Sequence, residues 1–169
     1  MRHRGAHDEL LRAYCAGQKF RFDILMDIGA YRDLHRHRRC VQIHQEYGFD
    51  HGFDTPREIE DAGHAAVYAS AMEKAAAGGR KLAASLATHG ESPLAANYLL
   101  PLAYRKRTLF KMDLAEVVYI SELRTKVGGH WSYRSVAYQM YEKVAERYPA
   151  LASYFRVTDI HEPVDLLQR

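Results

Sequence analysis

The fold of this chain turns on FRFDILMDIGAYRDLHRHRRCVQIHQ, residues 20–45. Phe20, Phe22, Ile24 and Met26 alternate with Arg21, Asp23 and Leu25, the period-two pattern of a half-buried strand. Asp27 is a residue type that caps helices, and AYRDLHRH continues in a helical register. CVQIHQ then alternates again, with Val41 and Ile43 on one face and Gln42 and His44 on the other. Arg36, His37 and Arg38 therefore fall where a helix hands over to a strand.

Four chemistries compete for that basic cluster. A metal site would draw on His35 and His37, with His44 and His51. Residues two apart do not share a helix face, no HxxxH or HExxH spacing occurs, and the adjacent arginines repel a cation, so no metal ligand is assigned. A nucleic-acid surface would add Arg105, Lys106 and Arg107, but two short basic runs without a recognition motif describe a solvated surface equally well. Cations at a helix C-terminus gain ~0.3–1 kcal/mol each from the helix dipole, which explains one or two of the charges. A clamp accounts for more. Guanidinium groups match phosphate oxygens with a planar fork, and Arg36 and Arg38 project together once the chain is extended. A histidine between them is free to hydrogen-bond or to stack on a ring.

The remaining elements follow from capping and periodicity. His7 to Ala16 reads as a short helix, with Leu10, Leu11, Tyr14 and Cys15 on one face and Gly17 as its stop. In TPREIEDAG, Thr55, Pro56 and Glu58 form a capping pattern. It opens a long alanine-rich helix, interrupted or strained at Gly78 and Gly79 and ending before Gly90. Ala62, Ala66 and Ala69 would allow another helix to approach closely. Ser92 and Pro93 begin a short helix that Pro101 ends, and RTLFKM is a strand. DLAE, Asp113 to Glu116, caps a helix that runs to about Arg124. Gly128 and Gly129 break the chain before a final helix carrying Val136, Met140, Val144 and Tyr148. The sum is an α+β fold, a small antiparallel sheet packed with several helices.

At 169 residues, 47% apolar and 27% charged, the chain is expected to form one domain over residues 1–169. A net charge of +3 with ten histidines suits anionic small molecules and demands no polymer partner. Two cysteines make no disulfide framework, no apolar run is long enough to span a membrane, and MRHRGAHDELLRAYC lacks a secretory pattern. The expected location is the cytoplasm. Cys40 follows the basic cluster, a setting that can lower a thiol's pKa, but no partner base is visible and a structural role is expected. Trp131 and His130, near Arg134, offer a stacking surface or a core anchor. The many tyrosines read as core or subunit-interface residues.

Taken with its context, the RHR triplet resembles that of the flavin-dependent thymidylate synthases, whose motif is R-H-R-x-x-S-x-N-E-x-S-x-R-Y. FRFDILMDIGAYRDLHRHR matches the approach to that motif, and ANYLLP is similar to A-R-x-V-L-P, with Asn97 in place of the arginine. MDLAEVVYISELR lies at the family's Asn-x-Arg helix ending in Leu-Arg, and HWSYR at its Gln-x-Glu-Ile-Arg segment. The resemblance implies a single thymidylate synthase-complementing-like domain in which Arg36, His37 and Arg38 contact FAD and Arg124 holds the nucleotide. It implies reductive methylation of deoxyuridylate (dUMP) to thymidylate (dTMP), with NADPH and methylenetetrahydrofolate as co-substrates. The family uses no protein nucleophile, and its sites form between subunits of a homotetramer. The motif's Ser, Asn, Glu, Ser, Arg and Tyr fall here on Val41, Ile43, His44, Glu46, Gly48 and Phe49. Asp113 and Ala115 replace the helix Asn and Arg. The alternative expectation is a catalytically degenerate relative that keeps the fold and oligomer interface, with flavin or nucleotide binding at most.

Overall fold

A computed structural model of the chain describes Arg4, Gly5, Leu10 and residues 12–162. A 3-10 helix, Arg12–Cys15, precedes β1 (Phe20–Asp27), α1 (Ile28–Leu34) and β2 (Val41–His44). Then come α2 (Arg57–Asp61), α3 (Ala65–Thr88) and a second 3-10 helix, Pro93–Leu99. The series closes with β3 (Arg105–Met112), α4 (Leu114–Arg124), α5 (Trp131–Arg147) and α6 (Pro149–Ala152). Of the helix expected over His7–Ala16, residues 7–9 and 11 lie outside the described set, and the 3-10 helix occupies its end.

The three strands order as β1-β3-β2. Ile28 N donates to Tyr104 O and Gly29 N to Leu102 O, so one strand ascends as the other descends. Gln45 N to Arg107 O and Asp54 N to Ala103 O show the same sense on the other side. The sheet is antiparallel. Being central, β3 buries every second residue: Lys106, Thr108, Phe110 and Met112 are buried, while Arg107 and Lys111 are exposed. β1 alternates as its sequence demands and ends on buried Met26 and Asp27. In β2, Val41 and Ile43 are 57% and 63% exposed, so its apolar face looks outward.

The residues gather into two compact units, with β1 and β3 contributing to both. One takes in Ala30–Ile43 and the described parts of Met1–Ile24 and Thr108–Arg169. Its core includes Ala30, Leu34, Phe110, Val117, Val118, Ile120, Ala137, Met140 and Val144. α4 packs on α5, and α4 begins as read, with Asp113 accepting a 3.0 Å bond from Glu116 N. The other unit comprises Leu25–Gly29 and His44–Arg107. Its core joins Ile28, Ala76 and Tyr104 with Phe49, Phe53, Met72 and Leu100.

Two expectations for the alanine-rich region are corrected. Pro56, not Thr55, caps α2, with no side-chain bond, and α2 stops after five residues. Gly63, at φ +74°, turns the chain before α3 starts again beyond His64. Gly78 and Gly79 do not interrupt α3, which is continuous over 24 residues. Gly79 serves packing instead, since the Phe49 ring fills the space a side chain there would need. Of the small residues expected to admit another helix, Ala62 and Ala66 are exposed and Ala69 is half-buried. No helix among the described residues is long and apolar enough to cross a membrane.

Candidate functional site

After α1 the chain turns tightly, with His35 N bonding Tyr31 O and His37 N bonding Leu34 O. The carbonyl of His37 then accepts from Cys40 Sγ at 2.9 Å and from Gln42 Nε2 at 3.0 Å, which pins the turn. Residues 35–40 form turns rather than the extended chain expected there; Arg36 and Arg38 are exposed, and His37 between them is buried, at 6% exposure.

His37 meets α4. Glu116 and Arg124 lie eight residues apart on that helix, about 12 Å along its axis, so both project toward the same side. The imidazole fits between them. Arg124 Nε donates to His37 Nε2 at 3.0 Å, and His37 Nδ1 lies 3.5 Å from Glu116 Oε1. Glu116 is itself only 4% exposed. Tyr119, one turn beyond Glu116, meets the imidazole edge-on at 5.6 Å between centroids. The guanidinium of Arg124 is further held by Asp33, through Nη2 to the carbonyl oxygen at 2.8 Å and Nη1 to Oδ1 at 3.7 Å. The Tyr133 ring lies 5.4 Å from the guanidinium carbon.

The four residues taken from the sequence thus separate by exposure. Arg36 and Arg38 reach solvent, while His37 and Arg124, 87 positions apart, are directly bonded. Asp33, Glu116, Tyr119 and Tyr133 had not been singled out as site residues. Glu116 was visible only as part of a capping pattern; its carboxylate faces His37. Asp113 is paired with Arg39 at 2.8 Å and with Lys19 at 3.6 Å, so its charge is compensated locally.

Several other candidates take structural roles. Cys40 does not become more acidic beside the cluster: burial pushes its thiol up, Gln42 pulls the other way, and nearby Glu116 raises it further. His130 caps α5 by accepting from Ser132 N, and buried Arg134 donates to Thr125 O at 3.0 Å. His35 stacks on Tyr31, and His51 Nε2 lies 2.7 Å from Gln45 Oε1. Two residues of the second basic run are absorbed as well. Arg105 pairs with Asp54, and Lys106, 1% exposed, lies 3.3 Å from His44 Nδ1 and 3.7 Å above the Tyr47 ring.

Residues 16–150 match the family model described as thymidylate synthase complementing protein. A UPF0159 protein of Chlamydia muridarum is 38% identical over 144 residues, covering 85% of this chain and 26% of the relative. One from Chlamydia pneumoniae is 34% identical over 148 residues, covering 88% and 27%. One from Thermoplasma acidophilum is 31% identical over 139 residues, covering 82% and 27%. The chain spans about a quarter of the length of these relatives.

Proposed function

Because this chain belongs to the thymidylate synthase complementing protein family, we propose that it binds a flavin and a pyrimidine nucleotide and acts in reductive methylation of deoxyuridylate. Arg36 and Arg38 supply two outward guanidinium forks, a donor set that suits the pyrophosphate of FAD. His37 fixes the turn that presents them. Arg124 holds the anionic nucleotide, with Nη protons left over after its bonds to His37 and Asp33. FAD, when bound, supplies the redox chemistry that side chains lack, with NADPH and methylenetetrahydrofolate as co-substrates. The chain's own work is to bind, orient and exclude water. The observation that carries this reading is the bond from Arg124 to His37, which joins two widely separated segments carrying the family's chemistry.

Exposed Arg36 and Arg38 fit a site completed by a second surface, so a homo-oligomer, with a tetramer favoured, belongs to the proposal, as does a cytoplasmic location. A second reading has its own support. Phe49, where the family motif ends in tyrosine, is committed to packing against Gly79 and Tyr104, and Val41 and Ile43 carry no polar group. On that reading the chain binds ligand without turnover. Titrating purified protein with FAD, then assaying isotope release from labelled deoxyuridylate, separates the two. Flavin binding with release supports an enzyme, and flavin binding without release supports the relic. Failure to bind saturating FAD would refute the enzyme and favour the relative without turnover.

A further inference from the structure

We propose that Glu116 and His37 form a tautomer lock that aims Arg124 at its anionic ligand, making both of them positioning residues. Identifying that ligand with a nucleotide rests on the proposed function; the lock itself rests on the Arg124–His37 hydrogen bond and the 3.5 Å approach of Glu116 to the other ring nitrogen.

Arginine has donors and no acceptor, so the 3.0 Å contact from Arg124 Nε requires His37 Nε2 to be bare. The ring proton of neutral His37 must then sit on Nδ1, the nitrogen that faces Glu116 Oε1 at 3.5 Å. A carboxylate only accepts, so it favours that tautomer. Both side chains are buried, and Tyr119 makes a T-shaped contact with the ring at 5.6 Å between centroids. Neither imidazole nitrogen faces outward for a cofactor. What His37 determines is the rotation of the Arg124 guanidinium, whose Nε edge is tied inward. The Nη edge is left shared between Asp33 and an incoming anion.

The test contrasts variants that differ in acceptor chemistry. His37→Gln places a carbonyl oxygen near the position of Nε2, whereas His37→Phe keeps ring volume without an acceptor. Loss of a hydrogen bond to a charged group corresponds to roughly tenfold or more in affinity. His37→Phe should therefore bind deoxyuridylate at least about tenfold more weakly than His37→Gln, while FAD affinity is the same in both. Glu116→Gln can donate an amide proton to Nδ1 and so turn the lock over, as amide-for-carboxylate exchange does behind a catalytic histidine. Nitrogen-15 imidazole spectra of the native chain should show His37 protonated at Nδ1. Glu116→Gln should shift it toward Nε2 and weaken deoxyuridylate binding, with inorganic phosphate as the control anion.

A native His37 protonated at Nε2, or equal nucleotide affinity in His37→Gln and His37→Phe, would overturn the proposal. If the native chain binds FAD but no deoxyuridylate, the proposed substrate is lost, and the lock stands or falls on the imidazole spectra.

Discussion

The Phe49 ring and Gly79 compete for one space: a Cβ built on Gly79 would lie 2.2 Å from Phe49 Cζ. Gly79→Ala should therefore destabilise the fold, by about 1–3 kcal/mol, because overpacking outweighs alanine's better helix propensity. Among the described residues nothing from another element lies within 4 Å of such a Cβ on Gly78. Gly78→Ala should stabilise by about 0.5–1 kcal/mol. Urea unfolding of the pair reads both signs, and equal effects would refute the assignment.

Asp113 combines two jobs, a helix cap and a partner for Arg39 and Lys19. Asp113→Asn keeps a capping oxygen and should be the milder change. Asp113→Ala should cost about 1–3 kcal/mol, from the cap plus a charged hydrogen bond to the half-exposed Arg39, whose share is reduced by solvent screening. Thermal melts at low and high salt separate the parts, since only the ion-pair component should shrink with salt.

The turn after α1 predicts a contrast in stability. Arg36→Ala and Arg38→Ala remove exposed side chains and should each change stability by less than about 0.5 kcal/mol. His37→Ala leaves buried Glu116 without its facing group and should cost about 2–4 kcal/mol. A large loss of stability in Arg36→Ala would show that its side chain is engaged within the fold.

Burial lowers the pKa of the Lys106 amine, with nearby Glu46 opposing it. Between that lowered value and the unfolded ~10.4, the folded chain binds fewer protons than the unfolded chain, so this residue's contribution rises with pH. Lys106→Met removes the contribution. The stability of the variant relative to the native chain should therefore fall as pH is raised from neutral toward ~10. A difference independent of pH would refute the assignment.

The Cys40 thiol is shifted in the opposite sense, upward, by burial. In a Cys15→Ser background its alkylation rate should still be climbing above pH ~8.5, where an unperturbed thiol is half ionised. A plateau below that pH would contradict the burial assigned to it.

Most of the architecture was legible because it rests on local rules. β1 declared itself by alternation, and α4 by a cap at Asp113 and an end at Arg124. The break in the alanine-rich region was misplaced because glycine signals both helix ends and close packing. Only the position of Phe49, thirty residues upstream, distinguishes Gly79 from Gly63. The site was half legible. His37 and Arg124, named from the sequence, are the two the structure bonds together, but Asp33 and Glu116 join them through long-range contacts that no spacing rule encodes.

α3 anchors itself lightly: of its 24 residues only Ala76 and Gly79 are buried, and ten are alanine. Its ten alanines add high intrinsic helix propensity to the packing of Ala76 and Gly79 on Phe49 and Tyr104. An excised peptide covering residues 65–88 should retain measurable helicity in cold water, whereas one covering the mostly buried α4 should be nearly random. Formation of α3 during synthesis can then precede the arrival of β3, its later neighbour in the chain.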